Sequence, residues 1–199
     1  FLYSFGYGFN SYNKMNSAIL KESSIAGIST NNLHFEYLDL QRNTDIAYHK
    51  RLVDLLRSKY AKQKINLIIA LNEPAHKFLV SDCKDLFEGV PIISALMAKS
   101  VAREPIKADI LYIPFSLDFK GTLQQALELF PNTRHVVFVA GVGDEDIRRT
   151  NEAKRTFESL KKRIQFTYTN EISYKEMLKY VSKLPSDTII IYCSMYVDS

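Results

Sequence analysis

Seven consecutive positions, Ile65-Asn-Leu-Ile-Ile-Ala-Leu71, carry one polar residue, Asn66. A strand with so little polar alternation is buried on both faces, which predicts a central strand of a parallel sheet. The run stops at Asn72-Glu73-Pro74, where Asn72 is placed to cap the next helix and Pro is tolerated in the first turn. In open α/β sheets such a strand-to-helix turn is where ligands sit.

The same unit recurs along the chain. Phe1–Gly6 reads as a strand ending in Gly6-Tyr7-Gly8-Phe9-Asn10, where two glycines permit a tight turn and close backbone approach. A helix from Ser11 directs Met15, Ala18, Ile19 and Ile25 to the core and stops at Gly27. His34–Leu40 is a second strand, and Tyr48–Tyr60 shows Leu52, Val53, Leu55 and Leu56 at helical spacing. After the central strand come a helix from Ala75 to about Phe87 and a buried strand, Val90–Leu96. Met97–Lys107 breaks the rhythm as a loop before the strand Asp109–Phe115.

Ser116-Leu117-Asp118 then opens a helix over Phe119–Phe130. The strand His135–Ala140 leads through a turn, with Asp144 as the expected N-cap, into an amphipathic helix reaching about Arg163. Ile164–Thr169 is a strand, and Ser173-Tyr-Lys-Glu176 fits a capping box for the helix Ser173–Leu184. Thr188–Cys193 is the last strand.

This alternation predicts an α/β fold of two Rossmann-like lobes with parallel sheets, residues 1–115 and 116–199, not one very wide sheet. The chain starts at Phe1 without an initiator Met and stops on a buried-looking strand. The expectation is a mature fragment whose second lobe is cut short.

Composition narrows the class. With 46% hydrophobic and 24% charged residues the chain can build a substantial core. The net charge of +4 is spread over predicted helices, so a nucleic-acid partner is not expected. Cys83 and Cys193 form no CxxC or Cys/His cluster, which argues against structural zinc. No apolar run approaches the roughly 20 residues that span a bilayer.

Motifs for common chemistries are missing. Gly141-Val-Gly143 is a lone GxG with Asp146 where a dinucleotide fingerprint needs glycine. There is no GxxxxGK[ST] and no GxSxG. Asp144-Glu145-Asp146 at a helix start point in different directions and read as capping acids, not a metal cluster. His34, His49, His76 and His135 are isolated from one another and read as surface or strand-edge residues. No catalytic residue and no cofactor is assigned.

The order of segments resembles a known family. The aromatic/Gly turn, Glu36-Tyr-Leu-Asp-Leu-Gln-Arg-Asn43, Ile65–Asn72, Val90-Pro-Ile-Ile93, Leu117-Asp118 before Thr122–Pro131, and Val136-Val-Phe-Val-Ala-Gly141 are similar to the ABC-transporter substrate-binding-protein-like sensor domains. These are type I periplasmic-binding folds of bacterial sensor histidine kinases and diguanylate cyclases. The resemblance implies two lobes closing on a small ligand. It implies ligand contacts at the aromatic/Gly turn (Tyr7, Gly8, Phe9), the polar turn after the third strand (Asn72, Glu73) and the Gly141–Gly143 turn.

Aromatic residues in or beside strand-end turns add Tyr12 and Tyr196 as walls for a planar or apolar ligand, and Ala95, Ser116 and Met195 complete the candidate set. If Glu73 faces the ligand, it favours a cationic or amine-bearing one. The expectation is a non-enzymatic, extracytoplasmic sensor domain that binds a small molecule in the inter-lobe cleft. It would be periplasmic and would signal to another domain of the same polypeptide across a membrane, with a homodimer left open. The alternatives are a periplasmic solute-binding component of an ABC transporter, or a two-lobed α/β transferase using Arg42, Lys99 and Arg103 as phosphate ligands.

Overall fold

The computed structural model describes residues 1–8, 10–98 and 109–195. The chain divides into two compact units, Phe1–Ser116 and Leu117–Ser199. Each is α/β, and the strand pairs in both sheets run parallel. Among the described residues there are eight strands and six α-helices, none of them long and apolar enough to cross a membrane.

In the larger unit, β1 (Leu2–Tyr3), β2 (Glu36–Tyr37), β3 (Ile68–Leu71), β4 (Ile92–Ala98) and β5 (Ile110–Phe115) form a sheet of order β2-β1-β3-β4-β5. The apolar run thus supplies the central strand, β3. Its first residues, Asn66 and Leu67, lie exposed before the pairing begins. The helices are α1 (Asn10–Ile25), α2 (Ile46–Tyr60) and α3 (Glu73–Ser81). Leu2, Ile68 and Ala70 point to the face covered by Val53, Leu56 and Tyr60 of α2 and by Ala75, Phe78 and Leu79 of α3. This is the unit's main core, and burial of its side chains is the dominant stabilising term.

The opposite face carries Tyr3, Phe5 and Tyr37, all in ring contact with Tyr12 of α1. The expected core face of α1 is corrected here. Ile25 is 71% exposed and Ala18 is exposed, and Tyr12 is the helix's buried residue. The register of α1 is set by the polar-aromatic pair Tyr12 and Asn16, one turn apart, which leaves Met15 and Ile19 half-buried and turns Ala18 and Ile25 outward. In α2, Leu55 is likewise exposed, not buried.

The smaller unit holds α4 (Phe119–Leu129), β6 (His135–Ala140), α5 (Asp144–Phe157), β7 (Gln165–Tyr168), α6 (Tyr174–Val181) and β8 (Thr188–Ser194), with sheet order β7-β6-β8. The central β6 is buried from Val136 to Ala140. Val136, Phe138 and Ala140 pack with Phe119, Leu123, Ala153 and Phe157 from α4 and α5, while Val137 and Val139 meet Met177 of α6.

Helix ends follow local chemistry. The Asp118 carboxylate accepts from Gly121 N–H at 2.8 Å, and Ser173 with Glu176 forms the expected capping box on α6. Asp144 is not the N-cap of α5. Gly143 takes that place, and all three acids fall in the first turn, where the helix dipole favours them. The helix ends at Phe157 and tightens into a short 3₁₀ turn, Glu158–Leu160, well before Arg163.

Candidate functional site

The β2-β1-β3-β4-β5 order defines the site's position. The chain crosses from β1 to β2 in one direction and returns past β1 to β3, so the loops leaving β1 and β3 depart to opposite faces. At such a switch point a crevice opens at the carboxyl ends of the strands. Here those loops are residues 4–8 and 72–75, with 38–43 after β2 beside them.

Side chains tie the loops together. The Ser4 hydroxyl, fully buried, donates to the Leu71 carbonyl at 2.8 Å and accepts from Ala75 N–H at 2.9 Å. The Tyr12 phenol donates to Asn72 Oδ1 at 3.0 Å. Tyr3 donates to Asn16 Oδ1, and the Asn16 amide donates to the Tyr37 hydroxyl at 2.6 Å. Tyr3 and Tyr37 stack with centroids 5.0 Å apart, and Tyr7 meets Tyr37 edge-on at 5.4 Å. Burial, with Tyr37 adding to it, pushes the Tyr3 phenol well above its ordinary range, so it stays protonated as a hydrogen-bond donor.

Backbone strain collects at the same sheet end. Among the described residues the non-glycine positions with positive φ are Asp39 (46°), Asn72 (71°) and Leu96 (60°). They follow β2, follow β3, and sit in β4 where its register with β5 shifts between Ala95 and Met97. Asn72, with ψ of 161°, occupies a region that glycine alone visits freely, at a cost of order 1–3 kcal/mol. Its side chain does not cap α3, contrary to the sequence expectation, because the amide oxygen is committed to Tyr12.

The candidate residues distribute as follows. Tyr7 is 84% exposed on the turn after β1, and Gly8 at φ 94° provides the left-handed turn residue with open space around it. Tyr12 is a buried support, not a lining residue. Glu73 is also buried, and its Oε1 lies 2.8 Å from Lys77 Nζ one turn along α3. Ala95 is half-buried in β4 beside Leu71, and Ser116 is exposed after β5. Phe9, Lys99, Arg103 and Tyr196 lie outside the described residues.

Gly141, Gly143 and Met195 belong to the smaller unit. Gly141 is buried, its N–H donating to the Ser194 carbonyl at 2.9 Å, and Met195 packs against the Val137–Val139–Met177 cluster. Asp146 is fully buried and accepts from the Ser194 hydroxyl, while Glu145 pairs with Arg149. The three acids therefore diverge, and among the described residues no group of three or more His, Cys, Asp or Glu is placed to hold a metal. A cavity of about 390 Å³ also opens in this unit between α4 and the end of α5, lined by Leu123, Phe157 and Arg163 among others. It contains none of the candidate residues and none of the strained backbone.

Sequence reasoning missed several participants. His76, expected at the surface, is buried, with Nδ1 2.7 Å from the Ser94 hydroxyl and its ring edge-on to Tyr112. Asp39 was not singled out, although Asp is one of few residues that tolerate left-handed backbone. Its carboxylate packs against Gly6, where a Cβ would come within 3.2 Å of Oδ1, and Arg42 approaches it at 4.0 Å. Leu96 and Ser4 carry no sequence signal at all.

No family model matches the chain, and comparison with curated proteins and with solved structures returned no match.

Proposed function

We propose that this chain is a small-molecule sensor domain of the type I periplasmic-binding class, working outside the cytoplasm and reporting to a signalling domain of the same polypeptide. Its ligand is held at the carboxyl end of the five-stranded sheet. One observation carries the reading: all the non-glycine positive-φ residues described, Asp39, Asn72 and Leu96, cluster at that sheet end, around the β1/β3 switch point. Strain of this kind persists where surrounding structure over-determines the backbone, and it concentrates at ligand clamps and switches. The bulge in β4 beside Ala95 belongs to the same pattern, since bulges re-aim side chains next to sites.

The hydrogen bonding at this sheet end supports a binding role. The hydroxyls of Tyr3, Tyr12 and Ser4 are engaged in structural hydrogen bonds, and Tyr3 is held protonated. A ligand that prefers one conformation of these strained loops shifts the population towards it, which is all a sensor requires.

Calorimetry against amino acids, purines and small aromatic acids tests the proposal. The expected result is saturable binding by at least one class, weakened by Tyr7→Ala. Silence across the panel, or binding that Tyr7→Ala and Asn72→Ala leave unchanged, sinks it.

A further inference from the structure

Resting on that reading, the site's own side chains specify the class of ligand. Tyr7 is almost fully exposed and perpendicular to Tyr37, with ring centroids 5.4 Å apart. The two rings make an open corner, not a stack. Tyr37 is held in place by its stack on Tyr3 and by the Asn16 amide, which donates to its hydroxyl. The Asp39 carboxylate closes on the same turn, packed against Gly6, the residue immediately before Tyr7. The Asp39 side chain keeps about a quarter of its surface open, at 27% exposure.

Two tyrosine rings and a carboxylate share one chemistry. The negative π faces attract a cation electrostatically, and a partly desolvated carboxylate adds a full opposing charge. We infer that Tyr7, Tyr37 and Asp39 form a receiving corner for an ammonium group, so that the ligand is an amine or quaternary ammonium compound. The acidic partner is Asp39; Glu73 is buried and neutralised by Lys77. Arg42, 83% exposed and 4.0 Å from Asp39 Oδ1, is a competing cation that a ligand displaces. A long exposed side chain loses such an ion pair cheaply. A neutral ligand with no hydrogen-bond donor gains nothing from Asp39, whereas an ammonium ion is attracted by all three groups.

The test uses choline as probe and, as comparator, its uncharged isostere in which a tert-butyl group replaces trimethylammonium. Binding is read by calorimetry, and its location by amide chemical-shift changes in the full chain. Choline should saturate with shifts confined to residues 5–8 and 37–43 and bind about fivefold tighter than the isostere, as expected for an exposed cation–π contact beside a carboxylate. Tyr7→Leu and Asp39→Asn should each weaken it roughly two- to fivefold, and Arg42→Gln should tighten it roughly twofold. Asn keeps the left-handed backbone at position 39, and Tyr7 is on the surface, so both variants remain folded. Choline that causes no saturable shifts there, an isostere that binds equally well, or indifference to Asp39→Asn overturns the inference. Uncharged aromatic molecules saturating the same residues, with choline silent, overturn it too while leaving the sensing proposal standing.

Discussion

The phenol of Tyr12 donates to the side-chain oxygen of Asn72 at 3.0 Å, joining the first turn of α1 to the loop that ends the central strand. Sixty residues separate the two in sequence. Tyr12 is also the one fully buried side chain of its helix, so this contact positions α1 as well as the loop. Tyr12→Phe keeps the ring contacts with Tyr3 and Phe5 and removes only the donor. A net loss of about 1 kcal/mol is expected for a part-buried neutral hydrogen bond. Chemical denaturation should show a lower midpoint with an unchanged slope. An unchanged midpoint would mean that the bond does not form in solution.

The backbone of Asn72 makes a separate prediction. At φ 71° any residue with a Cβ is strained, and glycine is not. Asn72→Ala loses the Tyr12 bond and keeps the strain, so it should destabilise by about 1 kcal/mol. Asn72→Gly loses the same bond but relieves the strain, and should lie about 1–2 kcal/mol above the alanine variant. If the two variants melt together, the positive φ is not a property of the folded chain.

The capping box on α6 predicts the acid behaviour. Hydrogen bonds from the Ser173 side chain and then its backbone N–H hold the Glu176 carboxyl below its ordinary value of 4.5. A depressed folded-state pKa contributes stability that is present above the unfolded value and is lost as pH falls through the folded one. Ser173→Ala removes the hydroxyl that α6 uses as its N-cap, with an expected loss of about 1 kcal/mol at neutral pH. Its melting temperature should also fall less steeply than the parent's below pH 4.5. Parallel acid profiles for the two proteins would assign the acid sensitivity elsewhere.

Much of the scaffold was legible because it depends on local patterns. The largely apolar run Ile65–Leu71, whose Ile68–Leu71 part forms β3, and the Ser173–Glu176 spacing each reflect one physical requirement, burial on two faces and satisfaction of free helix N–H groups. Strand limits were less legible. β1 and β2 have two residues each, because pairing depends on neighbours that no local window contains. The burial of Glu73 and His76 was invisible for a related reason. A charged or titratable residue at a helix start is usually solvated, and tertiary and helical partners such as Lys77 and Ser94 make its burial tolerable. Of the strained positions, Asn72 was noticed for its side chain, while Asp39 and Leu96 passed unremarked. Their conformations are imposed by tertiary structure, and leucine has no intrinsic preference that would announce one.

Alkaline titration offers a final test, one that reads both cores at once. Tyr3, Tyr48, Tyr60 and Tyr168 are pushed above the ordinary value of 10.0, in each case chiefly by burial. Hydrogen bonding to Glu36 adds to the effect at Tyr60, and Tyr168 reaches about 12. The Cys83 thiol, also buried, is pushed up to about 12. For each group the folded state favours the neutral form. Its stabilising contribution is therefore complete below the ordinary pKa and drains away as pH rises from there through the folded value. Near-ultraviolet absorbance should show these four ionising only above their ordinary value, together with loss of the far-ultraviolet helix signal. Thiol-reactive dyes should label Cys83 slowly until the same transition, since the thiolate is the reacting species. A single tyrosine titration wave near pH 10, with native circular dichroism retained throughout, would contradict the burial of Tyr3 and Tyr60 on which the larger unit's core is built.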